Sequence, residues 1–411
     1  MNLEGILNSL HRVGLSSSEE EIVVITDEPK IAGFLCFPKE EVLKHYEAKE
    51  VFGQGFDPNR TKARIKAVGE FLERLCLNNP DEEKFIISKY KPNRNFVEPA
   101  LFCCYSEEQL SDKQIFLEES RKAEYRWWPV INLTSGKKCL IPAQLIFLSS
   151  NLADEFPIRR ERISTGAALG PKGTFHALTS GLMESVERDA CVYSYLTRRH
   201  INKIIDLPKG ITNLVDYLKR YQLETHIFDV TTDLQIPTVL VITLDYTGIG
   251  PAVNVGSRAD INCDNAIKYA ILESIHCRRV SRVLRKLQFP EQLPKEYEVT
   301  SMDNRFYYWH SSERIQDLDF WLNSSGTVSY RDLKRNNTNL EKSIRTLKSK
   351  GYHIFVADMT IAPIRNGGFE ALKIVIPELH PLYLDERAKA LYSVHYGVIK
   401  DNKTLKPHPL T

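Results

Sequence analysis

Ile65, Val68, Leu72 and Leu75 recur three and four positions apart, the spacing of a helix with one buried face. Asp57 is the expected N-cap of this helix, Pro58 suits its first turn, and Pro80 stops it. A second long helix is predicted where a glycine-rich stretch runs into "FHALTSGLMESVERDACVYSYLTRR", and a third at "CDNAIKYAILESIHCRRVSRVLRKLQ". Strands are expected at Glu21 to Ile25 and Ile31 to Phe37. A hairpin is expected in "RWWPVINLTSGKKCLIPAQLIFLS", whose β-branched runs flank a Ser-Gly turn. The uninterrupted apolar runs Ile236 to Leu244 and Leu372 to Leu379 read as buried strands. A polar, irregular stretch from Pro290 to Asn339 precedes a last helix, a Gly351 cap and a strand.

The 411 residues are 42% hydrophobic and 26% charged, enough to bury a large core. With 55 basic and 53 acidic side chains the net charge is +2, so no overall field draws the chain to nucleic acid or a membrane surface. No apolar stretch reaches the roughly 18 residues of a membrane span, and the N-terminus lacks the pattern of a secretory signal. The eight cysteines are scattered without a C-x-x-C pair, which predicts reduced thiols and a cytoplasmic location.

One skeleton, Glu-x-x-Glu-Arg, occurs twice, in "GEFLERLC" and "LMESVERD", 114 positions apart (184 − 70). On a helix, residues three apart lie on nearly one face. Glu70 with Glu73 and Glu184 with Glu187 are therefore two such pairs. If the helices face each other, four carboxylates converge, and their repulsion calls for a hard cation such as Mg²⁺. A solvated helix face is the alternative for either copy alone. Apolar neighbours on both sides favour half-buried glutamates, which need a partner. Arg74 and Arg188 follow each pair, and Arg278 and Arg279 lie in the third helix, all suited to phosphate oxygens. No Walker-type loop is present. The glycine-rich "STGAALGPKG", Ser164 to Gly173, is expected as a loop whose amides cradle a ligand.

These segments resemble the YcaO superfamily. "GEFLERL" matches its first motif, "STGAALGPKGTFHALTSGLMESVERDA" its second, and "GIGPAVNVGSRADINCDNAIKYAILESIHCRR" its third, where Glu273 and Arg278 lie five apart. The motifs span roughly Gly53 to Arg279 in the family's order. The resemblance implies an α+β, YcaO-type fold of mixed β-sheets with long helices framing a Mg²⁺–ATP site. It implies a single domain over 1–411, with a nucleotide-binding core at about 50–290 and a C-terminal region at 340–411. It further implies ATP and Mg²⁺ as cofactors. Glu70, Glu73, Glu184 and Glu187 would be metal ligands, and Arg74, Arg188, Arg278, Ser164 and Lys172 nucleotide contacts. Three positions depart from the family pattern: Gln54 replaces a lysine in "GQG", His176 a glutamate and His276 a glutamine.

The implied reaction is phosphorylation of a peptide backbone amide. A Cys, Ser or Thr side chain as nucleophile then yields an azoline; external sulfide yields a thioamide, as in methyl-coenzyme M reductase. Azoline-forming members commonly end in Pro-x-Pro-x-Pro. Here "KPHPLT" matches with Pro407 and Pro409, Thr411 standing at the third position. The resemblance thus makes Arg278, Pro407 and Pro409 catalytic candidates, with a frayed tail as the alternative. It favours a cyclodehydratase acting on a ribosomally made peptide with a separate leader-binding partner, and a homodimer. A non-catalytic nucleotide-binding subunit is the third reading.

Overall fold

A computed structural model describes residues 3–23, 25–92 and 94–410, with the side chains of Leu3 and Gln288 excepted. The chain falls into two compact units. Lys30–Ser185 and Leu347–Glu378 join the N-terminal stretch in the first, and Ile25–Pro29, Val186–Thr346 and the stretch from Leu379 form the second. Sheets and helices are mixed throughout, an α+β fold.

In the first unit, strands Ser17–Glu21, Ala32–Pro38 and Gly53–Asp57 form an antiparallel sheet. The helix Arg60–Asn78 lies on it with Ala63, Ala67, Val68, Phe71, Leu72 and Leu75 buried. Glycine makes this close contact possible: a Cβ on Gly53 would fall 2.0 Å from the Ala67 carbonyl oxygen, and one on Gly55 1.8 Å from that of Ala63. Two expectations shift. The cap is Asn59, whose side chain accepts the Lys62 N–H at 3.0 Å. Asp57 instead ends the strand and accepts the Asn59 N–H, so Pro58 precedes the helix. The first strand occupies Ser17–Glu21 rather than Glu21 to Ile25, a range that includes Val24, outside the described residues. Its polar sequence hid it, because ion pairs hold it: Glu19 to Arg64 at 2.6 Å and Glu21 to Arg60 at 2.7 Å.

A second sheet of this unit carries the expected hairpin, Glu124–Asn132 with Lys137–Pro142, turning at Gly136 with φ of 71°. The same sheet contains Ile86–Lys89, Phe355–Asp358, Phe369–Val375 and Ala167–Pro171. The last of these corrects an expectation. Ala167–Pro171, the middle of the glycine-rich stretch, is not a loop but a strand paired with Phe369–Val375.

The second unit is built on a sheet ordered Val253–Ala259, Thr238–Asp245, Leu223–Asp229, Asn202–Ile205, Thr327–Ser329. Its Thr238–Asp245 strand is buried at every position, as an uninterrupted apolar run requires. The helix Cys263–Gln288 lies on Val253–Ala259, where a Cβ on Gly256 would fall 2.2 Å from the Ala270 carbonyl oxygen. The tail is not frayed: Pro407, His408, Pro409 and Leu410 are buried. Tyr195 Oη donates to the Lys406 and Pro407 carbonyls at 3.1 and 3.3 Å, and Arg305 donates to the His408 carbonyl. Thr411 lies outside the described residues. The remaining long helix, His176–Leu196, contributes its residues up to Ser185 to the first unit and those from Val186 to the second.

Candidate functional site

Close packing of helix on strand brings main-chain donors to the carboxylates. In the first unit the Gln54 N–H donates to Glu70 Oε2 at 2.8 Å. Arg74 pairs with the same glutamate and donates to the Phe52 carbonyl at 3.1 Å. On the His176–Leu196 helix, Glu184 Oε2 accepts the Gly166 N–H at 3.0 Å. Gly166 has φ of 86°, and a Cβ there would meet the Ile374 carbonyl oxygen at 2.2 Å, so glycine is needed on both counts.

These carboxylates feel one another. Burial, then the charges of Glu184 and Glu70, hold Glu73 well above the usual glutamate range. Glu70 is raised as well, by burial, against the lowering effects of Arg74 and the Gln54 amide. Sequence reading missed a fourth member, Lys373, which is 2% exposed on the Phe369–Val375 strand. Its Nζ donates to the Ile163 carbonyl at 2.7 Å. Burial lowers its pKa to about 7 against the opposing charges of Glu184 and Glu73. A lysine inside the apolar run Leu372 to Leu379 was the available signal.

In the second unit Glu187 is buried, with Oε1 accepting from Ser257 Oγ at 2.7 Å and Oε2 from the Ala259 N–H at 3.2 Å. Beside it Glu273 accepts the Ser257 N–H at 2.9 Å, and burial together with the Glu187 charge pushes Glu273 up to about 7. Arg188 lies 3.7 Å from Glu187. The first unit thus gathers Glu70, Glu73 and Glu184, whereas Glu187 is grouped with Glu273, a residue noted in the third motif but given no role. Asp189, next in the second motif, is fully buried and structural. It accepts the His380 N–H at 2.7 Å, His395 Nδ1–H at 2.8 Å and Tyr396 Oη–H at 3.0 Å.

The other candidates have their own partners. Arg278 is 3% exposed and paired with Asp245 at 2.7 Å and Glu28 at 3.0 Å. Two carboxylates already balance its charge, which makes it a poor phosphate ligand. Arg279 donates to the Pro29 carbonyl. Ser164 and Lys172 are exposed; the Ser164 carbonyl accepts the Ala167 N–H, and the Lys172 N–H donates to the Gly368 carbonyl. Pro409 lines a small cavity with Val253, Val255 and Cys277. His176 starts its helix, and His276 lies half-buried within its own.

Among the described residues, no three His, Cys, Asp or Glu side chains form a ready-made metal cage. Mg²⁺ does not require one, since it usually takes one or two carboxylates and completes its shell with water and phosphate oxygens. Mutually repelling, half-buried glutamates held by main-chain amides suit that mode, because a cation relieves the charge that raises Glu73.

The family model described as YcaO cyclodehydratase, ATP- and Mg²⁺-binding, matches residues 53–380. The chain belongs to the YcaO family. None of the curated protein sequences compared matches it. Among solved structures, it is similar to the E. coli microcin synthetase complex McbBCD with pro-MccB17 bound, with TM-score 0.69 and 16% identity over 96% of each chain. It is also similar to YcaO from Methanopyrus kandleri bound with AMPPCP and Mg²⁺, with TM-score 0.64, 18% identity, and 94% of this chain and 91% of that one covered. A heterocyclase in complex with substrate and cofactor gives TM-score 0.67 and 15% identity over 92% of this chain. The chain spans about half of that protein, 52% of its length. At these identities the likeness is one of fold, and it bears out the YcaO-type α+β expectation. ATP and Mg²⁺ are the cofactors of the family to which the chain belongs. Among the described residues, no helix is long and apolar enough to cross a membrane.

Proposed function

We propose that this YcaO protein is an ATP- and Mg²⁺-dependent enzyme that O-phosphorylates a peptide backbone amide. Its product on this reading is an azoline, formed by cyclodehydration of Cys, Ser or Thr in a ribosomally made peptide. The observation that carries the reading is the set of repelling carboxylates in the motifs of an ATP- and Mg²⁺-binding family, with Glu70, Glu184 and Glu187 each held by a main-chain amide. Glu70, Glu73 and Glu184 are the Mg²⁺ ligands of the first unit and Glu187 that of the second. Arg74 and Arg188 face phosphate oxygens. ATP with Mg²⁺ supplies the phosphoryl group that turns an amide oxygen into a leaving group. The chain's own part is positioning and charge balance: amides hold Glu70, Glu184 and Glu187 in place before ligand arrives.

The ordered tail supports the azoline. Pro407 and Pro409 are buried, and Tyr195 and Arg305 fix the backbone between them. The proposal extends to a separate leader-binding partner and a homodimer, with the whole chain acting as one YcaO-type domain in the cytoplasm. Eight free cysteines fit that reducing compartment. The test is the intact mass of candidate peptides after incubation with the protein, ATP and Mg²⁺, with and without sulfide, alongside phosphate release. Loss of one water per site supports cyclodehydration. Sulfide-dependent exchange of oxygen for sulfur would identify a thioamide-forming enzyme instead. ATP binding without turnover on any peptide would leave a nucleotide-binding subunit.

A further inference from the structure

The two units hold a carboxylate with the same device, in the same register. In the first, the amide after Gly53 donates to a glutamate 16 residues on, Gln54 to Glu70; in the second, the amide after Gly256 donates 16 residues on, Ser257 to Glu273. Each helix is capped by an asparagine six residues past the glycine (59 − 53 and 262 − 256), and Asn59 and Asn262 both accept a helix N–H. The contacts match too. A Cβ on Gly53 would meet Ala67 O at 2.0 Å and Phe71 N at 2.3 Å; one on Gly256 would meet Ala270 O at 2.2 Å and Ser274 N at 2.3 Å.

The copies differ in the second carboxylate. Glu73 follows Glu70 by three on one helix, but the position three after Glu273 is His276. In the second unit, the other carboxylate is Glu187, and Ser257 reaches it: its N–H holds Glu273 at 2.9 Å while its hydroxyl holds Glu187 at 2.7 Å. With the Ala259 N–H on Oε2, both oxygens of Glu187 are held by hydrogen bonds from the Val253–Ala259 strand. We propose that Ser257 is the positioning residue of the second unit's carboxylates, orienting Glu187 for Mg²⁺ and fixing Glu273 as the counterpart of Glu70. This rests on the Mg²⁺–ATP reading above. Without the hydroxyl, Glu187 loses the hydrogen bond that orients Oε1; losing such a partner typically weakens metal binding about 10–100-fold.

The experiment titrates Mg²⁺ against a non-hydrolysable ATP analogue in wild type, Ser257→Ala, Ser257→Thr, Glu187→Gln and Glu70→Gln, with thermal unfolding of each protein. Ser257→Ala is expected to raise half-saturating Mg²⁺ by about tenfold or more, with nucleotide affinity at saturating Mg²⁺ and the unfolding midpoint unchanged. Ser257→Thr, which keeps the hydroxyl, restores wild-type behaviour. A Ser257→Ala protein with wild-type Mg²⁺ dependence, beside a Glu187→Gln protein that has lost it, overturns the role of Ser257 and leaves the Mg²⁺–ATP reading standing. A Ser257→Ala defect that persists at saturating Mg²⁺ and lowers the unfolding midpoint marks a merely structural residue and also overturns it. If Glu70→Gln and Glu187→Gln both bind like wild type, the Mg²⁺–ATP reading itself fails.

Discussion

Glu273 carries a measurable electrostatic cost. Its carboxyl titrates near 7 instead of its ordinary 4.5, chiefly through burial and then through the Glu187 charge. Between those values the folded chain keeps a proton that the unfolded chain has released, so stability falls as pH rises through the window and levels off above it. Each pH unit of displacement is worth about 1.4 kcal/mol, so the ionised side chain costs the metal-free protein at most about 3 kcal/mol at pH 8. Glu273→Gln removes the titration while its side-chain oxygen still accepts the Ser257 N–H. The variant should match wild type near pH 4.5 and exceed it by up to about 3 kcal/mol at pH 8. Urea unfolding of both proteins in EDTA-containing buffer from pH 4.5 to 8, followed by tryptophan fluorescence, reads the difference directly. Parallel pH profiles would refute the reasoning, since nothing else separates the two proteins in that window.

Two further outcomes follow from packing. Gly53→Ala places a methyl 2.0 Å from the Ala67 carbonyl oxygen, forcing strand from helix and breaking the Gln54–Glu70 hydrogen bond. A loss of about 3 kcal/mol is expected in chemical denaturation, and unchanged stability would show that the close contact does not exist. Arg305→Met removes the 2.9 Å ion pair of Glu386, whose side chain is 6% exposed, and leaves it only the longer one to Lys389 at 3.9 Å among its ion pairs. The cost should be about 3–5 kcal/mol, with the tail from Leu405 becoming open to protease; a variant equally stable and equally resistant contradicts the anchoring.

Elements with a strong period were readable. The helical spacing through Leu75, the Ser-Gly hairpin and the apolar Thr238–Asp245 strand needed only their own residues. Ser17–Glu21 was misplaced because its alternation is polar and its partners are arginines on a distant helix. Ala167–Pro171 looked like a loop since Gly166, Gly170 and Gly173 dominated the stretch, yet Gly166 and Gly170 serve close backbone approach. At the site, the motif glutamates were visible, and so was the need for partners. Which residues group with which was not: Glu187 with Glu273 depends on Ser257, and Lys373 stands in an apolar run where only the fold shows it near Glu73. The repeated strand–helix device also escaped, because its two copies share spacing while their side chains at Gln54 and Ser257, or Glu73 and His276, have little in common.

A grip formed by main-chain amides has no side chain to lose. Glu70 and Glu273 keep the same hold although glutamine follows one glycine and serine the other. Substitution at those strand positions is therefore uncoupled from the placement of Glu70 and Glu273. One lineage of changes can swap a half-buried amide side chain for a hydroxyl that recruits a new acid, as Ser257 recruits Glu187, without first dismantling the old arrangement. The glycines beside them have no such freedom, so heritable variation at the site is channelled into the residue after each glycine.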